Sequence, residues 1–187
     1  MVKTIIKSVN RLTRAEKILM NKIRVREGGK GIKKDFSKDY PAGTIFFFVK
    51  EKDKILSFGG LEPIKINYLG KDYNILGICN IFSVEKGKGY GGILIKEMIK
   101  YLKNKGKTGL GFTGATEFFK KTGLKTEKLF GKRFALKNPK TGELRFAEKG
   151  EEGDGIYYEG KDKLISRMLK TKSLGYYWLP RIKELHF

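Results

Sequence analysis

The chain of 187 residues has the length of one domain, and its apolar content of 40 %, with 12 % aromatic residues, excludes a disordered chain. The formal net charge of +21, from 41 Lys and Arg against 20 Asp and Glu, favours acidic partners such as nucleic acid or a polyanionic cofactor. Most of this charge is lysine scattered through every segment, which is more typical of a solvated surface than of a specific nucleic-acid reader. Only the net charge therefore favours nucleic acid as a partner.

Cysteine and histidine are too rare for several classes of site. Cys79 is the single cysteine, which excludes a disulfide framework and a cysteine-based zinc site. His186 is the single histidine, so a histidine-rich metal site and a Ser-His-Asp triad are both disfavoured, and we predict no metal. No apolar run has the length of a signal peptide or a membrane span. We therefore expect a cytoplasmic protein without a membrane partner.

The first half of the chain predicts one helix and three strands. Thr13 and Glu16 have the spacing of a capping box, and the helix that they begin should end near Gly28. Segments with strand composition follow at 44–49, at 55–61 with a continuation over 64–69 past a bend at Pro63, and at 73–82. The last is nearly all apolar, as expected for a central strand. The short turns between the strands predict antiparallel neighbours.

The second half begins with a glycine-rich segment, 85–92, and an apolar helical pattern that ends at Gly106. A short strand over 110–113, a short helix over 115–121 and a strand over 126–136 should follow. Residues 148–154 have loop composition, apolar residues around 164–169 predict a last helix, and the aromatic segment 176–178 should dock on the main domain. We therefore predict one domain over 1–138, with a C-terminal extension over 139–187 packed on it.

The glycine-rich segment, Glu-Lys-Gly-Lys-Gly-Tyr-Gly-Gly, fits two phosphate loops. Gly87-x-Gly89-x-x-Gly92 has the spacing of a dinucleotide fingerprint, whereas Lys86-x-x-Gly89-x-Gly91 has the spacing of a coenzyme A loop. In both, a strand leads into a glycine turn, and the free first-turn amides of a helix bind the phosphate. A dinucleotide fold would place the fingerprint in its first βαβ unit and a carboxylate after the next strand. Neither condition is met here, which favours coenzyme A.

The sequence resembles the GNAT superfamily of acyl-CoA-dependent N-acetyltransferases over about residues 45–136. The family motif [Gln/Arg]-x-x-Gly-x-[Gly/Ala], which follows a strand and opens a helix, is matched with Lys86 in place of Gln or Arg. The next family motif, Ala-x-x-Phe-Tyr-x-x-x-Gly-Phe, is matched by Ala115, Phe118, Phe119, Gly123 and Leu124. The resemblance implies an α/β (α+β) fold with a mixed, mostly antiparallel twisted sheet flanked by helices.

The resemblance also implies acetyl-CoA as co-substrate and a set of residues that bind it. Main-chain groups around 80–82 would pair with the pantetheine arm, and amides of 87–92 would hold the pyrophosphate. An amide near Ile81 would face the thioester oxygen as an oxyanion hole. The implied cofactor-binding residues are Ile81, Phe82, Lys86, Gly87, Lys88, Gly89, Tyr90, Gly91, Gly92 and Phe119.

Catalytic side chains are less defined by the resemblance. The family often uses a tyrosine in its second motif to protonate the departing thiolate, but Phe119 occupies that position, so Tyr90 or a hydroxyl of the C-terminal segment would have to substitute. Glu62, at the bend of the second strand, is the first candidate for the base; the alternative is a solvated strand-end carboxylate. Asn80 is a candidate for orienting a water or the substrate; the alternative is an amide satisfied within the core.

These observations predict an N-acetyltransferase that moves an acetyl group from acetyl-CoA directly to a primary amine. The alternative is a non-catalytic protein of GNAT-like fold that binds an acyl-CoA or nucleic acid. The acceptor is not identified by the sequence. A cationic amine would require a local acidic pocket, and the candidate contributors are Glu62, Glu151, Glu152, Asp154 and Glu159.

Overall fold

The computed structural model describes residues 1–138, 141–146 and 153–171, and the backbone of Gly175–Tyr177. Its helices are α1 (Arg14–Gly28), α2 (Tyr90–Lys105), α3 (Thr116–Lys120) and α4 (Leu164–Lys170), with 3₁₀ turns at Val9–Arg11, Lys30–Ile32 and Phe130–Arg133. Its strands are β1 (Val2–Ser8), β2 (Ile45–Glu51), β3 (Lys54–Tyr68), β4 (Lys71–Ser83), β5 (Gly109–Thr113), β6 (Lys125–Glu127), β7 (Phe134–Lys137), β8 (Leu144–Phe146), β9 (Asp154–Tyr158) and β10 (Gly175–Tyr177).

The strands form one mixed sheet in the order β6-β9-β5-β4-β3-β10-β7-β8, and β2 and β1 extend from the first half of β3. Strands β2, β3 and β4 are antiparallel neighbours, as the short turns predicted. In the described part of the chain, only β4–β5 and β7–β10 run parallel. The mixed, mostly antiparallel sheet with flanking helices confirms the predicted fold class.

Helix α1 begins at the predicted capping box. The Thr13 hydroxyl accepts a hydrogen bond from the Glu16 amide at 3.2 Å, and the Glu16 carboxylate accepts one from the Thr13 amide at 3.0 Å. Lys7 and Lys50 also bind this carboxylate, at 2.8 and 3.2 Å. Burial alone would raise the pKa of Glu16, but the hydrogen bonds from Lys7 and Thr13 lower it to about 2. Glu16 therefore fixes both the start of α1 and its contact with β1 and β2.

Helices cover both faces of the sheet. Phe46 and Phe48 of β2 pack in the cluster that α1 contributes to, while Phe47 and Val49 pack in the cluster of α2. Because side chains alternate between faces along a strand, α1 and α2 lie on opposite faces. None of the helices that the structure describes is long and apolar enough to cross a membrane.

The predicted strand over 126–136 is wrong. The segment divides into β6 and β7, which lie near opposite ends of the sheet, joined by the turn Phe130–Arg133. Leu129 adopts a φ of 50°, which ends the extended backbone, and the Phe130 ring is buried in the core with Phe134 and Tyr157. Burial of this ring outweighs the strand propensity of the segment.

Four strands were not predicted from the sequence: β1, β8, β9 and β10. β1 pairs along its whole length with β2, and β9 lies between β5 and β6. Residue 154, predicted as the end of a loop, begins β9, and the rest of that loop over 148–152 lies outside the described residues. The backbone of β10 lies between β3 and β7; Trp178 and His186 are outside the described part of the chain.

Candidate acyl-CoA site

Strands β4 and β5 part after a short parallel contact. Their pairing is limited to Leu76 with Gly109 and Gly77 with Leu110. At Gly111 the backbones are still close, because a Cβ there would lie 2.6 Å from the carbonyl oxygen of Ile78. Beyond this point, residues 79–83 of β4 have no partner on the β5 side among the described residues. The parted strands leave main-chain groups of β4 open along one edge.

A bulge in β4 lies beside this opening. Cys79 pairs with Gly60 and Phe82 with Phe58, so Asn80 and Ile81 together lie opposite the single residue 59 of β3. Asn80 adopts a φ of 58°, a left-handed conformation that asparagine tolerates better than most residues. The extra residue redirects the strand as it approaches the glycine loop.

The loop between β4 and α2 holds several unpaired amides. Gly87 and Gly89 adopt φ values of 78° and 77°, which glycine reaches without strain, and a Cβ on either would meet open space. Gly89 is the N-cap of α2, and no side chain caps this helix. Within the described residues, the amides of 87–91 have no hydrogen-bond acceptor. Successive free amides at the start of a 16-residue helix form an anion-binding concavity.

Ion pairs connect the loop to its neighbours. Lys86, at the family's Gln/Arg position, lies 2.7 Å from Glu27 at the end of α1, and its side chain remains 77 % exposed. Glu85 pairs with Lys54 at 2.6 Å. Lys88 makes no ion pair with a described residue and is exposed. The loop is therefore anchored on both sides while Lys88 contributes its charge to solvent or to a ligand.

The aromatic residues of the second family motif divide between core and site. Phe119 is buried in the cluster under α2, where Tyr90 also packs. Phe118 lies against the start of α2, because a Cβ on Gly91 would be 3.0 Å from its ring. Phe118 thus contacts the first turn of α2, whereas sequence reasoning assigned cofactor contact to Phe119.

Glu62 is a buried carboxylate without a partner. Its residue is 5 % exposed on β3, and within the described chain no hydrogen bond or ion pair reaches it. Burial raises the pKa of Glu62 to about 7, against the attraction of Lys34 and Arg24. Gly77 faces it from β4, and a Cβ there would lie 3.2 Å from Cγ of Glu62 and 2.3 Å from Cδ1 of Ile64. The glycine makes room for this carboxylate beside the opening.

The side chain of Asn80 is fully engaged. Its Oδ1 accepts a hydrogen bond from Arg24 of α1, and its Nδ2 donates to the sulfur of Cys79 at 3.0 Å. Asn80 itself is half-buried, and these hydrogen bonds favour the alternative of an amide satisfied within the protein. Arg24 was missed by sequence reasoning, although its place four residues after the buried Met20 puts it on the apolar side of α1, an unusual position for arginine.

The other candidate acidic residues serve local structure. Asp154 accepts a hydrogen bond from the Leu129 amide at 2.8 Å, and Glu159 accepts hydrogen bonds from the amides of Ile165 and Ser166 at 3.2 and 2.8 Å. Neither is therefore a free carboxylate. Among the candidates that the structure describes, Glu62 is the acidic group near the opening that remains unpaired.

Solved structures of N-acyltransferases share this fold at low sequence identity. A GCN5-related N-acetyltransferase from Kribbella flavida matches with a TM-score of 0.52 and 14 % identity over 71 % of this chain, which spans only 38 % of that protein. An acyl-CoA N-acyltransferase from Pseudomonas aeruginosa matches with a TM-score of 0.54 and 12 % identity over 84 % of this chain and 99 % of its own.

A third structure contains the cofactor. The GNAT-family N-acetyltransferase YhbS from Escherichia coli, in complex with CoA, matches with a TM-score of 0.54 and 11 % identity over 95 % of this chain and 91 % of its own. No protein-family model matches the sequence, and no curated protein matches it either. The likeness is thus one of three-dimensional structure, and it agrees with the parted strands and the glycine loop described above. The chain has the fold of the GNAT superfamily of N-acetyltransferases.

Proposed function

We propose that the protein transfers the acetyl group of acetyl-CoA to a primary amine. One observation carries this proposal: the parted edge of β4 leads directly into five successive amides that have no acceptor among the described residues. An open strand edge suits an extended arm with amide groups, and free helix-start amides suit a diphosphate. Coenzyme A has both parts, in the order in which the chain offers these two surfaces.

Each part of acetyl-CoA is assigned to the surface of the protein that suits it. The diphosphate binds the amides of 87–91, with the charge of Lys88 nearby, and the pantetheine arm pairs with the main chain around Ile81 and Phe82. A main-chain amide at the bulge near Ile81 donates to the thioester oxygen, where negative charge develops in the transition state. Asn80, whose side chain is engaged by Arg24 and Cys79, holds the bulge rather than contacting the reacting atoms.

Glu62 is the proposed base. A carboxylate with a pKa of about 7 accepts a proton from the acceptor ammonium near neutral pH. The neutral amine nitrogen then attacks the thioester carbon, the C–N bond forms and the C–S bond breaks. The acylated nitrogen loses its remaining extra proton to solvent, and the CoA thiolate leaves with the electron pair and takes up one proton from solvent, since Phe119 carries none to donate. Glu62 then returns its proton to solvent. A thiol with an ordinary pKa near 8.5 is an adequate leaving group without that assistance.

Turnover is tested by CoA release with a panel of amines. Free CoA is detected with a thiol reagent, and the only protein thiol, Cys79, is buried and gives little background. Release above the rate of acetyl-CoA hydrolysis with at least one amine, together with a mass increase of one acetyl group in that amine, is the expected result. Acetyl-CoA binding without release for any amine would instead support the non-catalytic alternative, and no binding at millimolar acetyl-CoA would contradict both.

A further inference from the structure

Arg24 is a buried cation that the proposed chemistry does not use. It projects from the third turn of α1, is 3 % exposed, and makes no ion pair among the described residues. Its guanidinium carbon lies 5.9 Å from the ring centroids of both Tyr40 and Phe82. A buried guanidinium without a hydrogen-bonded carboxylate partner is costly for the fold, which points to a role other than stability.

The hydrogen bonds of Arg24 reach the bulge of β4. One nitrogen, Nη2, donates both to the Tyr40 hydroxyl and to Oδ1 of Asn80, while Nε has no acceptor within the described chain. Asn80 also donates to the sulfur of Cys79 at 3.0 Å, so its amide group is fixed at both ends. Because Asn80 is the left-handed residue of the bulge, fixing its side chain fixes the direction of β4 at Ile81.

The same guanidinium also interacts electrostatically with Glu62. The four groups that interact electrostatically with Glu62 come from three segments: Arg24 from α1, Lys34 and Tyr40 from the connection before β2, and Cys79 from β4. Tyr40 and Cys79 are buried and neutral, since burial raises the pKa of each. Lys34 and Arg24 are thus the cations that lower the pKa of Glu62, against the larger effect of burial.

We propose that Arg24 is a positioning residue that acts on both halves of the site: it fixes the Asn80 bulge through hydrogen bonds and supplies positive charge to Glu62. The part of this role that concerns turnover rests on the proposed acetyl transfer. The part that concerns the bulge and the carboxylate belongs to the unliganded protein and is measurable there.

Two substitutions separate the hydrogen bonds from the charge. Arg24→Lys keeps the charge, but the lysine side chain is shorter, so its ammonium does not reach the position from which Nη2 binds both acceptors. Arg24→Gln removes the charge. Carbon-13 NMR of the Glu62 carboxyl group should give a titration midpoint near 7 in the wild type, a similar midpoint in Arg24→Lys, and a higher one in Arg24→Gln. Arg14→Gln, an exposed change on the same helix, should leave the midpoint unchanged.

The bulge is followed in the same samples. In unliganded Arg24→Lys, the amide resonances of Asn80 and Ile81 should move. In a separate titration, the affinity of this variant for CoA should be about tenfold lower than that of the wild type, the effect of losing one charge-assisted hydrogen bond. Asn80→Gly keeps the left-handed backbone but removes the acceptor, so Arg24→Lys should cause no further loss of CoA affinity in that background.

The outcomes that contradict the proposal are distinct from failure of the proposed function. Unchanged Asn80 and Ile81 resonances in Arg24→Lys, or an unchanged Glu62 midpoint in Arg24→Gln, would overturn it. If Arg24→Gln does not fold, the double variant decides. A tenfold lower CoA affinity in Arg24→Lys/Asn80→Gly than in Asn80→Gly alone would overturn the proposal by itself. If the wild type binds no CoA, the proposed function fails, and the Glu62 titration and the amide resonances still decide the role of Arg24.

Discussion

Replacing Glu62 by glutamine should stabilise the protein at alkaline pH and remove its proposed base. Burial raises the pKa of Glu62 from 4.5 to about 7, with Lys34 and Arg24 opposing the rise. This difference is about 2.5, and each pKa unit corresponds to about 1.4 kcal/mol. Ionised Glu62 therefore destabilises the folded state by ~3 kcal/mol, which glutamine, a neutral side chain of the same size, avoids.

The effect has a defined pH window. Below about pH 4.5 the carboxyl is protonated in both the folded and the unfolded state, so the variant should be about as stable as the wild type. Between pH 4.5 and about 7 the unfolded state loses this proton while the folded state retains it, and wild-type stability falls as pH rises. Above about 7 the difference is complete, and for a chain of this length ~3 kcal/mol corresponds to a Tm gain of roughly 6–12 °C.

Thermal unfolding followed by circular dichroism at pH 4.5 and pH 8.5 measures this difference. Glu117→Gln is a matched control, because the Glu117 side chain is 76 % exposed and its carboxylate pairs with Lys120. The Glu117 variant should show no gain at pH 8.5. A Tm of Glu62→Gln that is equal to or below that of the wild type at pH 8.5 would refute the raised pKa, and with it the reason for choosing Glu62 as the base.

Three further changes test other parts of the site. Gly89→Ala should abolish the rise in Tm that acetyl-CoA induces. Gly70→Ala is the control, because Gly70 has a similar φ of 76° and a Cβ there would also meet open space. Each substitution should lower stability by about 1 kcal/mol, but Gly70→Ala should leave the rise in Tm intact. Gly77→Ala should lower kcat more than CoA affinity, because the new Cβ would lie 2.3 Å from Cδ1 of Ile64 and 3.2 Å from Cγ of Glu62 and so shifts both side chains; equal losses of kcat and CoA affinity would contradict this. Lys88→Ala should weaken CoA binding severalfold at low salt, and the loss should shrink at 1 M salt; a salt-independent loss would exclude an electrostatic role.

Features set by short stretches of chain were predictable from the sequence. The capping box at Thr13, the three antiparallel strands and the glycine loop each depend on residues within a few positions of one another. β9 was not predictable in the same way, because it is short and its place between β5 and β6 is decided by distant partners. The division of 126–136 was likewise decided by burial of the Phe130 ring in the tertiary core.

In the candidate site, too, local features were predictable from the sequence and long-range contacts were not. The loop amides follow from the spacing of glycines. Glu62 was chosen from a bend predicted at Pro63, but β3 is continuous there and its register shift lies between Phe58 and Gly60. The network of Arg24 was beyond local reasoning, because its partners Tyr40 and Asn80 lie 16 and 56 positions away along the chain. Only the pairing of β3 with β4 and the packing of α1 bring these residues together.

Titration of the nitrogen-15-labelled protein with CoA tests the central claim most directly, since each backbone amide reports its own surroundings. The account predicts that the largest shifts fall on the amides of 87–91, which have no acceptor within the described chain, and on Ile81 and Phe82 at the open edge of β4. Amides of the distant β3–β4 turn at Gly70 should not move. Saturable shifts elsewhere with none at 87–91, or no shifts at millimolar CoA, would contradict the account.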